Sequence, residues 1–314
     1  MDLGFKDFIK SFPVILTEGA VLERLRRTYP DLLNPFVAHA GAVFNSISRE
    51  ILKSIYREYL NIGVSFDLPM IILTPTWRAS SERAKLAGLD WKEINKECVN
   101  FLKEIKMEYG VYAEKIMIGG LMGCRNDAYD ATQSLDEDTA FEFHQPQAEE
   151  LSKSGVDFLI ASTIPSFSEA LGMARAMTLF KDTIISFVIR ENGKLLDGMV
   201  LSDTINRIDS GVEILPIGYM VNCVHPLIFQ SAMNVVAGSD PGFAGRLIGL
   251  QANTSKKSPE ELDGSLNLDA EDPHVFGKEI DMVRRKFELK IVGGCCGTDA
   301  RHIREIAMRV KEGN

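Results

Sequence analysis

The chain has 314 residues, enough for one large core or two modest ones. Hydrophobic residues make up 45% and charged residues 25%, and a formal net charge of −9 without a long basic run argues against nucleic acid or an anionic membrane as partner. Charges interrupt the apolar stretches of the first 19 residues and no segment is apolar for long enough to span a bilayer, so the expectation is a cytoplasmic protein without signal peptide or membrane helix.

In chain order, eight short apolar runs read as strands. They are VILT (14–17), MIILT (70–74), IMIGGL (116–121), DFLIAS (157–162), IISFVI (184–189), IGYMVN (217–222), LIGLQA (247–252) and IVGG (291–294). Little polar alternation interrupts them, which is the pattern of strands covered on both faces in a parallel sheet. Helical spacing fills the intervals. Residues 21–28 can supply a helix after the first strand; 46–60 repeat Ile47, Ile51, Ile55 and Tyr59; 91–109 repeat Ile94, Val99, Leu102 and Ile105. Similar patterns cover 136–154, 166–180, 202–208, 226–236 and 299–310, several opening on a Ser or Asp suited to capping. The polar stretch 253–273 reads as a long surface loop. Eight strands alternating with helices predict an α/β fold, a (β/α)8 TIM barrel, with the whole chain 1–314 as a single domain. An open doubly wound sheet is the rival, weakened because no G-x-G-x-x-G follows the first strand.

Active sites of such barrels gather at the C-terminal ends of the strands. Of the five cysteines, Cys223 follows the sixth strand while Cys295 and Cys296 follow the eighth, so three thiols converge across one intervening strand. An odd number of cysteines in a chain read as cytoplasmic argues against a disulfide framework. Three thiolates suit Zn²⁺, and three protein ligands leave a fourth position for a substrate thiol, whose thiolate form is the nucleophile. Both neighbours of a Cys-Cys pair can face one ion if the backbone turns sharply. Gly293, Gly294 and Gly297 are read as permitting that turn through positive φ. The competing reading makes the three cysteines buried small hydrophobes, with a vicinal 295–296 disulfide a further alternative. Cys98 reads as core, and Cys124 lies near the barrel mouth without a partner.

V-N-C at 221–223, followed by I-V-G-G-C-C-G-T at 291–298 and H-I at 302–303, resembles the zinc-dependent homocysteine S-methyltransferase family. L-T-E-G-A (16–20) is similar to that family's D-G-A or D-G-G opening, and T-P-T-W-R-A-S (74–80) to its T-N-T-Y-Q-A-S. S-G-V-D (154–157), S-T-I-P (162–165) and E-A (169–170) are similar to A-G-V-D, E-T-I-P and E-A. The resemblance covers nearly the whole chain. It implies a (β/α)8 barrel, Zn²⁺ on Cys223, Cys295 and Cys296, and methyl transfer to a thiol acceptor, most simply homocysteine to give methionine. The methyl donor stays open among S-methylmethionine, S-adenosylmethionine, a betaine-like compound, or a separate corrinoid or folate partner. Ser162 stands where the family carries a Glu that helps hold the amino group of homocysteine. Glu18 replaces an Asp, while Pro75 and Arg78 replace Asn and Gln.

Around the cysteines, Glu18 is a candidate for a substrate amino group or cation, or a plain strand-end ion pair. Ser162 and Thr163 contact substrate or cap the following turn. Asn222 donates to a ligand sulfur or fills the open metal position. Trp77 faces a cationic donor by cation–π attraction or walls the mouth. Arg78 and Arg125 bind a carboxylate or sit solvated at the rim; His225 reads as a rim residue, and His302 as packing or capping. His39, His144 and His274 carry no signal. Two other functions compete with methyl transfer: a barrel enzyme holding a phosphorylated substrate at the glycine-rich turn after strand eight, and a methyl-relay subunit of a multi-protein system.

Overall fold

The computed structural model describes residues 4–237, 243, 245–258, 261 and 268–313. Eight parallel strands close into a barrel in chain order: β1 (Ile15–Thr17), β2 (Met70–Leu73), β3 (Ile116–Met122), β4 (Phe158–Ile164), β5 (Thr183–Phe187), β6 (Gly218–Asn222), β7 (Leu247–Ala252) and β8 (Ile291–Gly294). Closure is made by β1, which pairs Leu16 with Met70 on one side and Ile15 with Ile291 on the other. All eight expected strands are present within one or two residues of their predicted ends.

Among the described residues the helices, all but the first, form the outer layer. They are α1 (Phe5–Ser11), α2 (Leu22–Thr28), α3 (Ser46–Phe66), α4 (Ser81–Leu86), α5 (Trp91–Met107), α6 (Glu137–Lys153), α7 (Phe167–Met177), α8 (Leu201–Gly211), α9 (Pro226–Ala237), α10 (Pro273–Lys286) and α11 (Ala300–Glu312). Capping occurs at the expected Asp136, Ser166 and Asp299, whereas Asn45 and not Ser46 caps α3, and α8 starts at Leu201 without a side-chain cap. Asn45, Asp90, Asp136 and Ser166 accept backbone N–H groups at the starts of α3, α5, α6 and α7. Asp299 and His302 satisfy each other's backbone at the start of α11, so His302 is a capping residue.

Two cores result. Ile15, Ile71, Met117, Phe158, Ile160, Ile184, Met220 and Ile291 fill the barrel, and a larger shell packs between strands and helices. Burial on both faces is why the strands lack alternation. The lower end is closed by α1, an element the sequence reading left unassigned: Phe5 stacks on Phe158 with ring centroids 3.7 Å apart, and Phe8 and Ile9 join the same cluster. Helix α10 was also unassigned. It begins where the expected 253–273 loop ends, with Asp272 accepting from the His274 and Val275 N–H groups and Pro273 in the first turn. Residues 259–260 and 262–267 of that loop lie outside the described residues.

Candidate metal and substrate site

Three turns at the C-terminal rim position the cysteines. Cys223 follows β6 with φ 56°, a left-handed conformation rare for a non-glycine residue, and its N–H donates to Gln251 O of β7 at 3.0 Å. Cys295 follows β8 and donates its N–H to Ala252 O at 2.7 Å. The Cys296 carbonyl accepts from Thr254 N at 3.2 Å. Each cysteine is thereby tied to β7 or its outgoing loop, which brings β6 and β8 to one point.

The glycines differ from expectation in their work. Only Gly297 takes positive φ, 81°, and a Cβ there would collide with Thr254. Gly293 and Gly294 are strand residues without positive φ, and they are glycine for want of room: a Cβ would strike Thr17 at one and Thr298 at the other. Thr298 then locks the turn, its Oγ1 donating to Cys295 O at 2.6 Å and accepting from Ala20 N at 3.0 Å. The Gly297 N–H donates to the Glu23 carboxylate.

The Sγ atoms of Cys223, Cys295 and Cys296 lie within 4.8 Å of one another. Those of Cys223 and Cys295 are in direct contact, with Cα atoms 5.5 Å apart. The converging turns just described bring them together. Cys296 is free, and burial, with the Glu23 carboxylate beside it, pushes its thiol up to about 12. The donor set fits a zinc ion. Ligation at about 2.3 Å puts two sulfurs of a tetrahedral site about 3.8 Å apart, a spacing this trio reaches by small side-chain adjustments.

Glu18, Trp77, Ser162, Thr163 and Asn222 line one cavity of about 150 Å³ together with all three cysteines. Glu18 is buried at the end of β1, and its Oε2 accepts from Leu73 N at 2.8 Å. Burial holds its carboxyl well above the usual glutamate range, against the opposing pull of that hydrogen bond. Ser162 and Thr163 sit in a register shift of β4 against β5, and Thr163 has φ 63°. Asn222 holds that bulge: its Oδ1 accepts from Thr163 N at 2.9 Å and Ser186 Oγ at 2.7 Å, and its Nδ2 donates to Thr163 Oγ1 at 2.6 Å. The amide is thus occupied with β4 and β5, and not with a sulfur as the sequence reading allowed. Trp77 donates Nε1–H to Ser162 O at 3.1 Å.

Other candidates fall elsewhere. Arg78 stacks over Trp77 at 4.2 Å and donates to Cys124 O and Asn126 O at 2.9 and 2.6 Å, so it pins the β3 loop. Arg125 pairs with Glu82 at 3.0 Å. His225 is fully buried, 3.1 Å from Glu271, and so is no rim residue. Lining residues that escaped the sequence reading include Glu23, Tyr129, His39 and Gln251. Glu23 was findable as an acid in the first turn after β1. Tyr129 and His39 lie in connecting segments, where no periodicity marks a side chain that faces inward.

Comparison with known proteins agrees with this geometry. A family model described as homocysteine S-methyltransferase matches residues 15–310. The homocysteine S-methyltransferase YbgG of Bacillus subtilis is 23% identical over 316 residues, 95% of each chain. The homocysteine S-methyltransferase of Escherichia coli is 22% identical over 225 residues, 67% of this chain and 69% of that one. The fold is also that of the homocysteine methyltransferase MmuM from Escherichia coli. Its oxidized form superposes with TM-score 0.77 at 19% identity, covering 96% of this chain and 97% of that one. Its metallated form superposes with TM-score 0.74 at 18% identity, covering 96% and 98%.

Proposed function

Because this chain belongs to the homocysteine S-methyltransferase family, we propose that it transfers a methyl group to the sulfur of homocysteine, giving methionine, with Zn²⁺ held by Cys223, Cys295 and Cys296. The observation that carries this reading is the meeting of three sulfurs within 4.8 Å on the wall of a buried cavity. Soft thiolate donors in this number suit zinc, and a homologous fold has been solved in a metallated form. All three ligate as thiolates, so binding of the ion releases their protons.

The chemistry zinc supplies when bound is Lewis acidity that favours the thiolate form of the acceptor near neutral pH. The chain's own residues do the rest. Glu18 and the polar groups opposite it hold the acceptor's head while its sulfur faces the cysteines. Trp77 excludes water along one wall and fixes the β4 bulge through Ser162 O. The acceptor sulfur forms a bond to the methyl carbon as the bond to the donor's leaving atom breaks, and the electron pair leaves with the donor. A wider cavity of about 680 Å³ shares Glu23, Trp77, Tyr129 and Cys296 with the first, giving the donor an approach to the same point. A donor carried by a separate corrinoid or folate partner would use the same opening.

A phosphate site at the strand-eight turn is disfavoured, because the Gly297 N–H is already taken by the carboxylate of Glu23. The test is turnover of the zinc-loaded chain with L-homocysteine and each of four donors: S-methylmethionine, S-adenosylmethionine, a betaine and a methylcorrinoid. Methionine is read by mass spectrometry. Product with any small donor supports a self-sufficient enzyme; product with the methylcorrinoid alone supports the relay reading; no product from any of the four, nor from a methylated folate added as a fifth, rejects methyl transfer to homocysteine.

A further inference from the structure

Among the described residues, two polar side chains on the cavity wall have a buried atom without a hydrogen-bond partner. His39, at the start of the helical turn His39–Phe44, is 3% exposed, and its buried Nδ1 makes no hydrogen bond. Ser162, at the β4 bulge, is 6% exposed, and its buried Oγ makes none either. Native proteins rarely leave buried polar atoms unmade. Two such atoms on residues that line one cavity point to a ligand that completes them.

Charge says which ligand group. Among the described lining residues are the carboxylates of Glu18 and Glu23 but no Lys or Arg. A carboxylate entering this cavity would meet no cation. An ammonium would meet Glu18, of which Oε2 also serves Leu73 N. Burial drives His39 down to about 4, so the imidazole is neutral and keeps one acceptor nitrogen. An ammonium brings three N–H donors to these acceptors. Resting on the function proposed above, we infer that His39 Nδ1 accepts a hydrogen bond from the amino group of the thiol substrate, beside Ser162 Oγ and the Glu18 carboxylate, which makes His39 a specificity-determining residue.

The test is calorimetric titration of the zinc-loaded full chain with three thiols. These are L-homocysteine, 3-aminopropane-1-thiol, which keeps the amine and lacks the carboxylate, and 4-mercaptobutyrate, which keeps the carboxylate and lacks the amine. His39→Phe weakens the two amines about tenfold and leaves 4-mercaptobutyrate within about twofold. Its Tm equals or exceeds that of the wild type, because an unpaired buried nitrogen has been replaced by an apolar ring. His39→Asn, which returns a polar atom near the Nδ1 position, recovers most of the affinity. Equal weakening of all three thiols, or none, overturns the assignment, as does a lowered Tm without selectivity. If the wild type binds no thiol at all, the proposed function falls with it; if only His39→Phe binds like the wild type, that function stands and His39 is excluded.

Discussion

At the scale of single residues, this site is held by atoms that never touch a metal. Asn222 makes three hydrogen bonds that bridge β6 to the β4 bulge and to Ser186, and it immediately precedes Cys223 in the chain. Asn222→Ala leaves the Thr163 N–H and two hydroxyls short of a partner in the interior, so it should cost about 2–3 kcal/mol in urea denaturation. Methyl transfer should fall with it, and an unchanged denaturation midpoint would mean the bulge stands without the amide. Gly297→Ala forces a Cβ against Thr254 in a left-handed conformation. We expect about 1–2 kcal/mol of strain and at least a tenfold weaker hold on zinc, measured by competition with a chromophoric chelator. The cysteines were legible in sequence because adjacency and flanking glycines are a local signal. The reason for two of those glycines was not, because the crowding by Thr17 and Thr298 comes from residues distant in the chain or beyond the turn. His39 was illegible for a related reason: its place on the wall is decided by how a connecting segment folds back over the mouth.

At the scale of elements, the strands announced themselves because both faces of each are covered and every residue in them is under the same apolar demand. Helices α3, α5 and α6 were equally plain from spacing and capping residues. Of the helices missed, α4 and α10 belong to the outer layer and α1 closes the lower end of the barrel. Helix α1 has only seven residues, too few to show a period, yet it carries Phe5 and Phe8 into the interior core. Its contribution is tertiary, since so short a helix is marginal alone. Phe5→Ala, which removes the ring stacked on Phe158, should cost about 3–5 kcal/mol and lower Tm by several degrees in differential scanning calorimetry. A change within 0.5 kcal/mol would show that the barrel bottom is sealed by other groups. Because this end lies opposite the cysteines, affinity for zinc in the folded variant should be unchanged, which separates loss of the plug from loss of the site.

At the scale of the whole molecule, the barrel concentrates its least comfortable groups at one end, where function needs them and stability does not. Glu18 is the clearest instance, a carboxyl sealed at the end of β1 with its pKa raised by burial. The sign of its effect follows from linkage. The folded state holds the Glu18 proton more tightly than the unfolded chain does. This carboxyl's contribution to stability is therefore fully present below the ordinary glutamate value of about 4.3, drains away as pH rises towards the raised folded value, and is level above it. Glu18→Gln keeps an oxygen to accept from Leu73 N and removes the titration. Urea denaturation of the two proteins across pH 4 to 8 isolates Glu18, since the pH dependence of the zinc ligands is common to both and cancels in the difference. The variant should gain on the wild type steadily as pH rises from the acid end, and at pH 8 it should be the more stable of the two. The same substitution should weaken binding of an amine-bearing thiol about tenfold, because an amide cannot match an ammonium in charge. A stability difference that stays flat with pH would show that Glu18 ionises as freely in the folded barrel as outside it, and the electrostatic account of the cavity would then fail at its centre.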